Sequence, residues 1–163
     1  MALLNNTCTY AIRAALHVAA ARPAAGEFVS TRRIADELDV PFAFLGKVLQ
    51  GLTQGGILVS QRGASGGVAL ARPAVTITLI DILASVGGDG LFRDCLLGLP
   101  ACSDSTPCAL HHAWRLERAR LESLFSQTTL ADLAEGNASL VIFAEPTGAA
   151  ASRGRRPNTR RSR

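Results

Sequence analysis

Aromatic residues are scarce in this chain: one Trp, one Tyr and six Phe among 163 residues. There is one Met, and there are only four cysteines. No apolar run approaches the roughly 20 residues that a membrane-spanning helix needs, so no such helix is expected. Cys-x-x-Cys is missing, which removes the thioredoxin-type redox motif. No paired acid/base constellation stands out, and an enzyme is not the expected class. No internal repeat is found. The N-terminal "YAIRAALHVAAARPAA" has the small residues of a signal peptide, but Arg13 and His17 interrupt it. Ile12, Leu16 and Ala19 instead fall at helical spacing. The expected location is the cytoplasm, where thiols stay reduced and clustered cysteines point to metal or redox chemistry rather than a disulfide framework.

What is present is a chain 48% hydrophobic and long enough for one real core plus an appendage. Its net charge of +4 is unevenly spread. Residues 1–72 hold seven bases against four acids, and residues 73–143 hold four bases against eight acids. From Glu145 onward, six arginines face one acid. A basic first half on an acidic second half suggests a polyanion-binding head joined to something else.

The coarse reading is mostly α. A first helix spans about Asn6 to Ala21 and stops before Pro23. Ser30 is placed to N-cap a second helix, with Ile34, Ala35 and Leu38 on one face. "DVP" breaks that helix. A third runs from about Pro41 or Phe42 to Gln54, with Leu45, Val48, Leu49 and Leu52 apolar, and stops at Gly55–Gly56. "ILVSQ" and "GVALAR" read as two strands around "RGASGG". "TITLIDILASV" reads as a helix capped near Thr76 or Thr78. A longer helix is expected from about Cys108 to Gln127, with Leu110, Trp114, Leu121 and Phe125 in register. A short one follows from Thr129 to Glu135. "GAAASRGRRPNTRRSR" is a low-complexity basic tail expected to be disordered.

Three helices followed by a two-stranded hairpin is the order of a winged helix-turn-helix. A helix fits the major groove, and a hairpin beside it lays a basic side chain into the minor groove. Arg32, Arg33, Lys47 and Arg62 are the cations in position. The same head also suits a protein-binding module, with Arg32 and Arg33 as a solvated face. "RGASGG" is no P-loop, because no Gly-Lys-Ser/Thr follows and it leads into a strand.

"RDCLLGLPACSDSTPCALHH" gathers Cys95, Cys102 and Cys108, with His111 one helical step beyond the last. Three soft thiols suit an iron-sulfur cluster. They also suit zinc, although structural zinc sites usually show tighter Cys-x2–4-Cys knuckles. Thiol redox without metal fits as well, and so do ordinary small residues with Cys108 capping a helix.

"TCTYAIRAALHVAA", followed by "STRRIADELDVPFAFLGKVLQGLTQGGILVSQRGASGGVALARPAVTITLIDIL", resembles the Rrf-two family of bacterial winged-helix regulators, over about residues 3–135. The family includes the IscR and NsrR types. The most specific part joins recognition helix and wing, "FLGKVLQGLTQGGILVSQRGASGGVALARP". The resemblance implies a winged helix-turn-helix over residues 1–75. It implies a cysteine-loop sensor and dimerisation region over 76–135, with a long C-terminal helix that pairs with its twin. Residues 136–163 remain as the basic tail. It further implies a cytoplasmic homodimer that binds an inverted-repeat operator in double-stranded DNA and represses transcription. By position, Ser30, Thr31 and Arg32 open the second helix near phosphates. Phe42, Ala43, Phe44, Gly46 and Lys47 lie on or beside the major-groove face. The wing presents Arg62, with Gly63, Gly66 and Gly67 allowing the tight turn.

In that family three cysteines in this place ligate an iron-sulfur cluster, and Cys95, Cys102 and Cys108 match them in order. The first gap here is six residues, where five is usual, and both 2Fe-2S and 4Fe-4S clusters stay open. Some members take a fourth ligand from a histidine that maps to His111. Others use an N-terminal acid, and that position is Thr9 here, beside Cys8. His111 is the first choice and Cys8 the alternative. His112 is read as a surface residue, and His17 as a helix residue with no metal role. The competing reading is a metal-free or zinc-bound repressor that answers to thiol oxidation or a small molecule.

Overall fold

A computed structural model describes residues 3–21, 27–63 and 66–135 of the chain. The basic tail and the two residues at the tip of the hairpin turn lie outside them.

Helix α1 runs Asn6–Ala21. The Asn5 side chain caps it by accepting from the backbone N–H of Cys8 at 2.9 Å. Ala11, Ala14, Ala15, Leu16 and Val18 are buried, so the helix presents a smooth alanine-rich face that lets neighbours approach closely. Helix α2 spans Thr31–Glu37 and α3 spans Phe42–Gln54. Between them Asp39 takes a left-handed conformation (φ 49°), which short polar side chains tolerate, and the chain reverses into Pro41. Ile34, Ala35, Leu38, Leu45, Val48, Leu49 and Leu52 all point inward, as their spacing predicts. Gly56, at φ 70°, ends α3, and the Ile57 N–H returns to the Leu52 carbonyl at 2.9 Å.

Strands β1 (Leu58–Gln61) and β2 (Gly67–Leu70) pair antiparallel, with Leu58 opposite Leu70 and Gln61 opposite Gly67. Val29 adds an isolated rung beside β2 by exchanging two backbone hydrogen bonds with Val68, at 2.8 and 2.9 Å. This rung was not expected from sequence. It fixes the hairpin against the start of α2.

Helix α4 (Leu79–Ser85) begins with a full capping box between Thr78 and Asp81, and Arg72 joins Asp81 at 2.8 Å. A turn of 3-10 helix over Asp89–Phe92 leads into the cysteine loop. Helix α5 covers His111–Gln127, about 25 Å at the usual rise. Helix α6 (Leu130–Glu135) folds back, and a bridge between Thr78 and Thr129 ties it to the start of α4.

The core has two parts. The larger joins α1, α2, α3 and the hairpin with Ile77, Ile82 and Leu130. The smaller holds Cys8, Leu83, Phe92 and Phe125, with the two Phe rings edge-on at 5.4 Å. It connects the first turn of α1 to the far end of α5.

Three expectations need correction. Ser30 precedes α2, but its side chain accepts no capping hydrogen bond. Helix α5 starts at His111 rather than Cys108, because residues 108–110 form a turn that faces Cys108 toward Cys95. Leu110 is exposed rather than apolar core, and only His111 and Phe125 of α5 are buried.

Candidate functional site

The outer edge of the head collects most of the residues singled out as a DNA-reading face. Ser30, Arg32, Phe42, Ala43, Lys47, Arg62 and Gly63 are exposed, and Thr31 and Gly46 are half-buried. The Arg32 guanidinium lies 4.9 Å from the centre of the Phe42 ring, which braces the start of α3 against α2. Arg33 turns the other way and pairs with Glu37 at 2.6 Å. It therefore sits on a solvated face.

Three of the chosen residues serve the interior. Phe44 packs edge-on against Tyr10 at 5.6 Å. A Cβ on Gly67 would stand 2.1 Å from the Val29 carbonyl oxygen, and one on Gly66 would stand 2.4 Å from that of Gln61. Both glycines are required by close backbone approach, Gly66 within the wing and Gly67 against the Val29 segment. Gly46 is different. A Cβ there would meet nothing within 4 Å, so a glycine that costs an α-helix about 0.5–1 kcal/mol has no internal reason to be there.

The turn also spells Gly63-x-Ser65-x-Gly67, the letters of a hydrolase nucleophile motif. In a hydrolase this motif turns a strand into a helix. Here it joins two antiparallel strands, so the match is formal only.

The second constellation lies between the 3-10 turn and α5. The loop from Cys95 to Cys108 is built of successive tight turns. The Gly98 N–H bonds the Cys95 carbonyl at 2.9 Å, with Gly98 at φ 65°, and the Cys102 N–H bonds Leu99 at 3.1 Å. Ser103 then closes a turn on Thr106, oxygen to oxygen at 2.9 Å. These turns bring the Sγ atoms of Cys95, Cys102 and Cys108 within 4.8 Å of one another. Cys95 and Cys108 approach to 3.8 Å.

His111 closes the group. Its Nδ1 lies 3.3 Å from Cys102 Sγ and its Nε2 lies 2.9 Å from an Asp104 carboxylate oxygen. Asp104 is 3.6 Å from Arg115 as well. Helix α5 reaches back over the loop: Trp114 Nε1–H donates to the Asp94 carbonyl at 3.0 Å and Arg118 donates to it at 3.2 Å. Arg118 also donates to the Arg93 carbonyl. The result is a cavity of about 270 Å³ with sulfur on one wall and Trp114, Arg115 and Arg118 on the other.

The thiols are not equivalent. Backbone hydrogen bonds from Leu99 and Leu97 to its sulfur bring the Cys95 pKa down to about 7. Cys102 also has a backbone hydrogen bond from Cys108, but desolvation and the adjoining thiols outweigh it and raise its pKa. His111 and Arg115 hold the Asp104 carboxyl below its usual value. The donor set, three soft thiols with a carboxylate-oriented imidazole beside them, fits a soft metal centre, iron-sulfur or zinc alike.

Cys8 stands apart. It is 2% exposed within the smaller core cluster, and burial pushes its thiol up. Among the described residues the sulfur group consists of the three loop cysteines without it. His112 is exposed, as expected. His17 is buried and faces Glu37 at 3.3 Å.

The fold and the site together define a winged-helix protein, its head followed by a second half that gathers three thiols beside α5. The model of the Rrf2 family, described as "Iron-dependent Transcriptional regulator", matches residues 4–136, and the chain belongs to that family of transcriptional regulators. A provisionally named HTH-type transcriptional regulator of Mycobacterium tuberculosis is 39% identical over 129 residues, 78% of each chain. The fold is similar to that of CymR, the global cysteine regulator of B. subtilis (TM-score 0.69, 22% identity, 83% of this chain and 98% of that one). It is also similar to that of IscR of T. potens (TM-score 0.63, 23% identity, 82% and 86%). Among the described residues no helix is long and apolar enough to cross a membrane.

Proposed function

We propose that this chain is a cytoplasmic, homodimeric, DNA-binding repressor whose operator affinity is set by an iron-sulfur cluster on Cys95, Cys102 and Cys108. The carrying observation is the meeting of the three sulfurs within 4.8 Å across a 14-residue segment. His111 is the fourth ligand in this reading. Its ring stands beside the sulfur group, and Asp104 on the other nitrogen orients it as carboxylates orient metal-bound imidazoles. The buried position of Cys8 speaks against the alternative ligand.

The cluster, when bound, supplies a centre sensitive to redox state and nitric oxide. The chain's own residues carry its state to the head. Trp114 and Arg118 couple the loop to α5, and Phe125 of α5 packs with Phe92 and Cys8 against the first turn of α1. The exposed Leu116 and Leu124 (62% and 57%) give α5 an apolar face for its twin in the dimer. A shift of α5 then changes the spacing of the two heads on an inverted repeat. Residues 1–75 read DNA through Ser30, Thr31, Arg32, Phe42, Ala43, Lys47 and Arg62. Residues 76–135 sense and dimerise.

Anaerobic purification with iron and sulfide counting, absorption spectra before and after nitric oxide, and promoter binding of both forms tests this reading. Iron, sulfide and visible absorption that disappear in Cys102→Ser are expected. Protein that takes up neither iron nor sulfide on reconstitution would overturn it.

A second reading, a metal-free thiol-redox repressor, draws on the 3.8 Å between Cys95 and Cys108. Oxidation removes one proton from each thiol, passes two electrons to an oxidant such as peroxide, and forms the Cys95–Cys108 bond. Mass spectrometry of oxidised, metal-free protein then finds that disulfide in wild type and not in Cys108→Ser.

A further inference from the structure

The exposed edge of α3 carries more than the cations. Ala43, Gly46, Lys47, Gln50 and Gln54 recur every one to four residues as one outward stripe. Gln50 and Gln54 form the crest between two grooves. One, about 290 Å³, opens toward α2 and the wing, past Thr31, Ser60 and Gln61. The other, about 540 Å³, opens toward the start of α1 and the end of α4. No acidic side chain lines either groove. Among the described residues, no hydrogen bond engages the amide of Gln50 or Gln54.

The chemistry of this crest is specific. A glutamine amide holds a donor and an acceptor side by side, the complement of N7 and N6 on the major-groove edge of adenine. Ala43 and Gly46, the preceding turns of the same stripe, put almost no side chain between the helix axis and a ligand. Nothing inside the chain explains the glycine, because a Cβ there would meet no atom within 4 Å. A close-approaching external surface does explain it. The flanking Lys47, Arg32 and Arg62 are exposed, a setting that suits an anionic surface carrying adenine edges.

We infer that Gln50 is a specificity-determining residue that reads an adenine in each operator half-site, with Gly46 admitting α3 to the required depth. This rests on the DNA-binding reading above and adds to it the base and the side chain that reads it.

The test uses full-length protein and a random-sequence duplex library. Sites selected by the wild type are expected to contain an A·T pair that Gln50→Ala no longer discriminates, with about tenfold weaker binding to the selected site and an unchanged salt slope. Gln50→Glu is expected to move the preference there to cytosine, whose exocyclic amine donates to a carboxylate. Lys47→Ala, in contrast, weakens all sequences alike and lowers the slope by about one. Gln50→Ala that discriminates every position as the wild type does would overturn the inference and leave the regulator reading intact. A wild type that prefers no duplex over any other would overturn both.

Discussion

His111 and Cys102 face each other across the sulfur cavity, imidazole Nδ1 to Sγ at 3.3 Å. The opposite ring nitrogen is held by Asp104, so the ring has one orientation and offers one nitrogen to the thiols. If His111 serves as ligand, Asp104→Asn weakens the carboxylate that aligns it. Loss of such an outer partner lowers metal affinity by about 10- to 100-fold. Chelator competition on the reconstituted protein measures this, and His111→Cys restores a ligand where His111→Ala does not.

Trp114 anchors the residue before Cys95. Trp114→Phe keeps the ring and deletes the donor to the Asp94 carbonyl. The bond is on the exposed side of the helix, so the global cost is small, about 0.5–1 kcal/mol. The local cost falls on the loop. Hydrogen exchange over residues 93–108 is expected to accelerate, while exchange in α1 and α3 stays as it was.

His17 makes the fold sensitive to mild acid. Burial lowers its pKa below 6.5, more than the nearby Glu37 raises it. The unfolded chain therefore binds a proton that the folded chain refuses. Stability is full above about pH 6.5 and falls as the pH drops below that value, because protonation favours the unfolded state. Denaturant melts between pH 7.5 and 5.5 are expected to show this slope in wild type and a shallower one in His17→Asn.

Two glycines predict opposite outcomes for one substitution. Gly88 leaves room for Cys8: a Cβ there would stand 2.3 Å from its sulfur and 3.0 Å from a Leu83 methyl. Gly88→Ala is expected to lose about 1–3 kcal/mol through overpacking of the smaller core. Gly46→Ala meets open space in a helix and is expected to gain about 0.5–1 kcal/mol. Thermal melts of the two variants check both signs.

Most of the head was legible in the chain. Helix α1 and α3 have the bounds their periodicity predicts, because Pro23, Pro41 and Gly55 punctuate strong 3.6-residue patterns. The local grammar of "RGASGG" gave the hairpin but not the Val29 rung, which pairs residues 39 apart. Helix α5 lost its expected first turn because the sulfur loop claims Cys108. Gln50 passed unnoticed, since an exposed glutamine in a helix carries no signal until its grooves and its unengaged amide are seen. Asp104 and Trp114 likewise became meaningful only through their partners.

Composition and spacing by themselves determined that the chain has a basic head and an acidic second half with three thiols gathered inside it. Those properties are local, and they follow from residue type and period. Tertiary structure decided which thiols meet. Cys8 is no more distant in chemistry than the others, but it is buried in the first turn of α1 while the turns at Gly98 and Ser103 fold the remaining three together. Convergence of side chains depends on backbone turns and on the helix that clamps them, and no linear spacing encodes that distance.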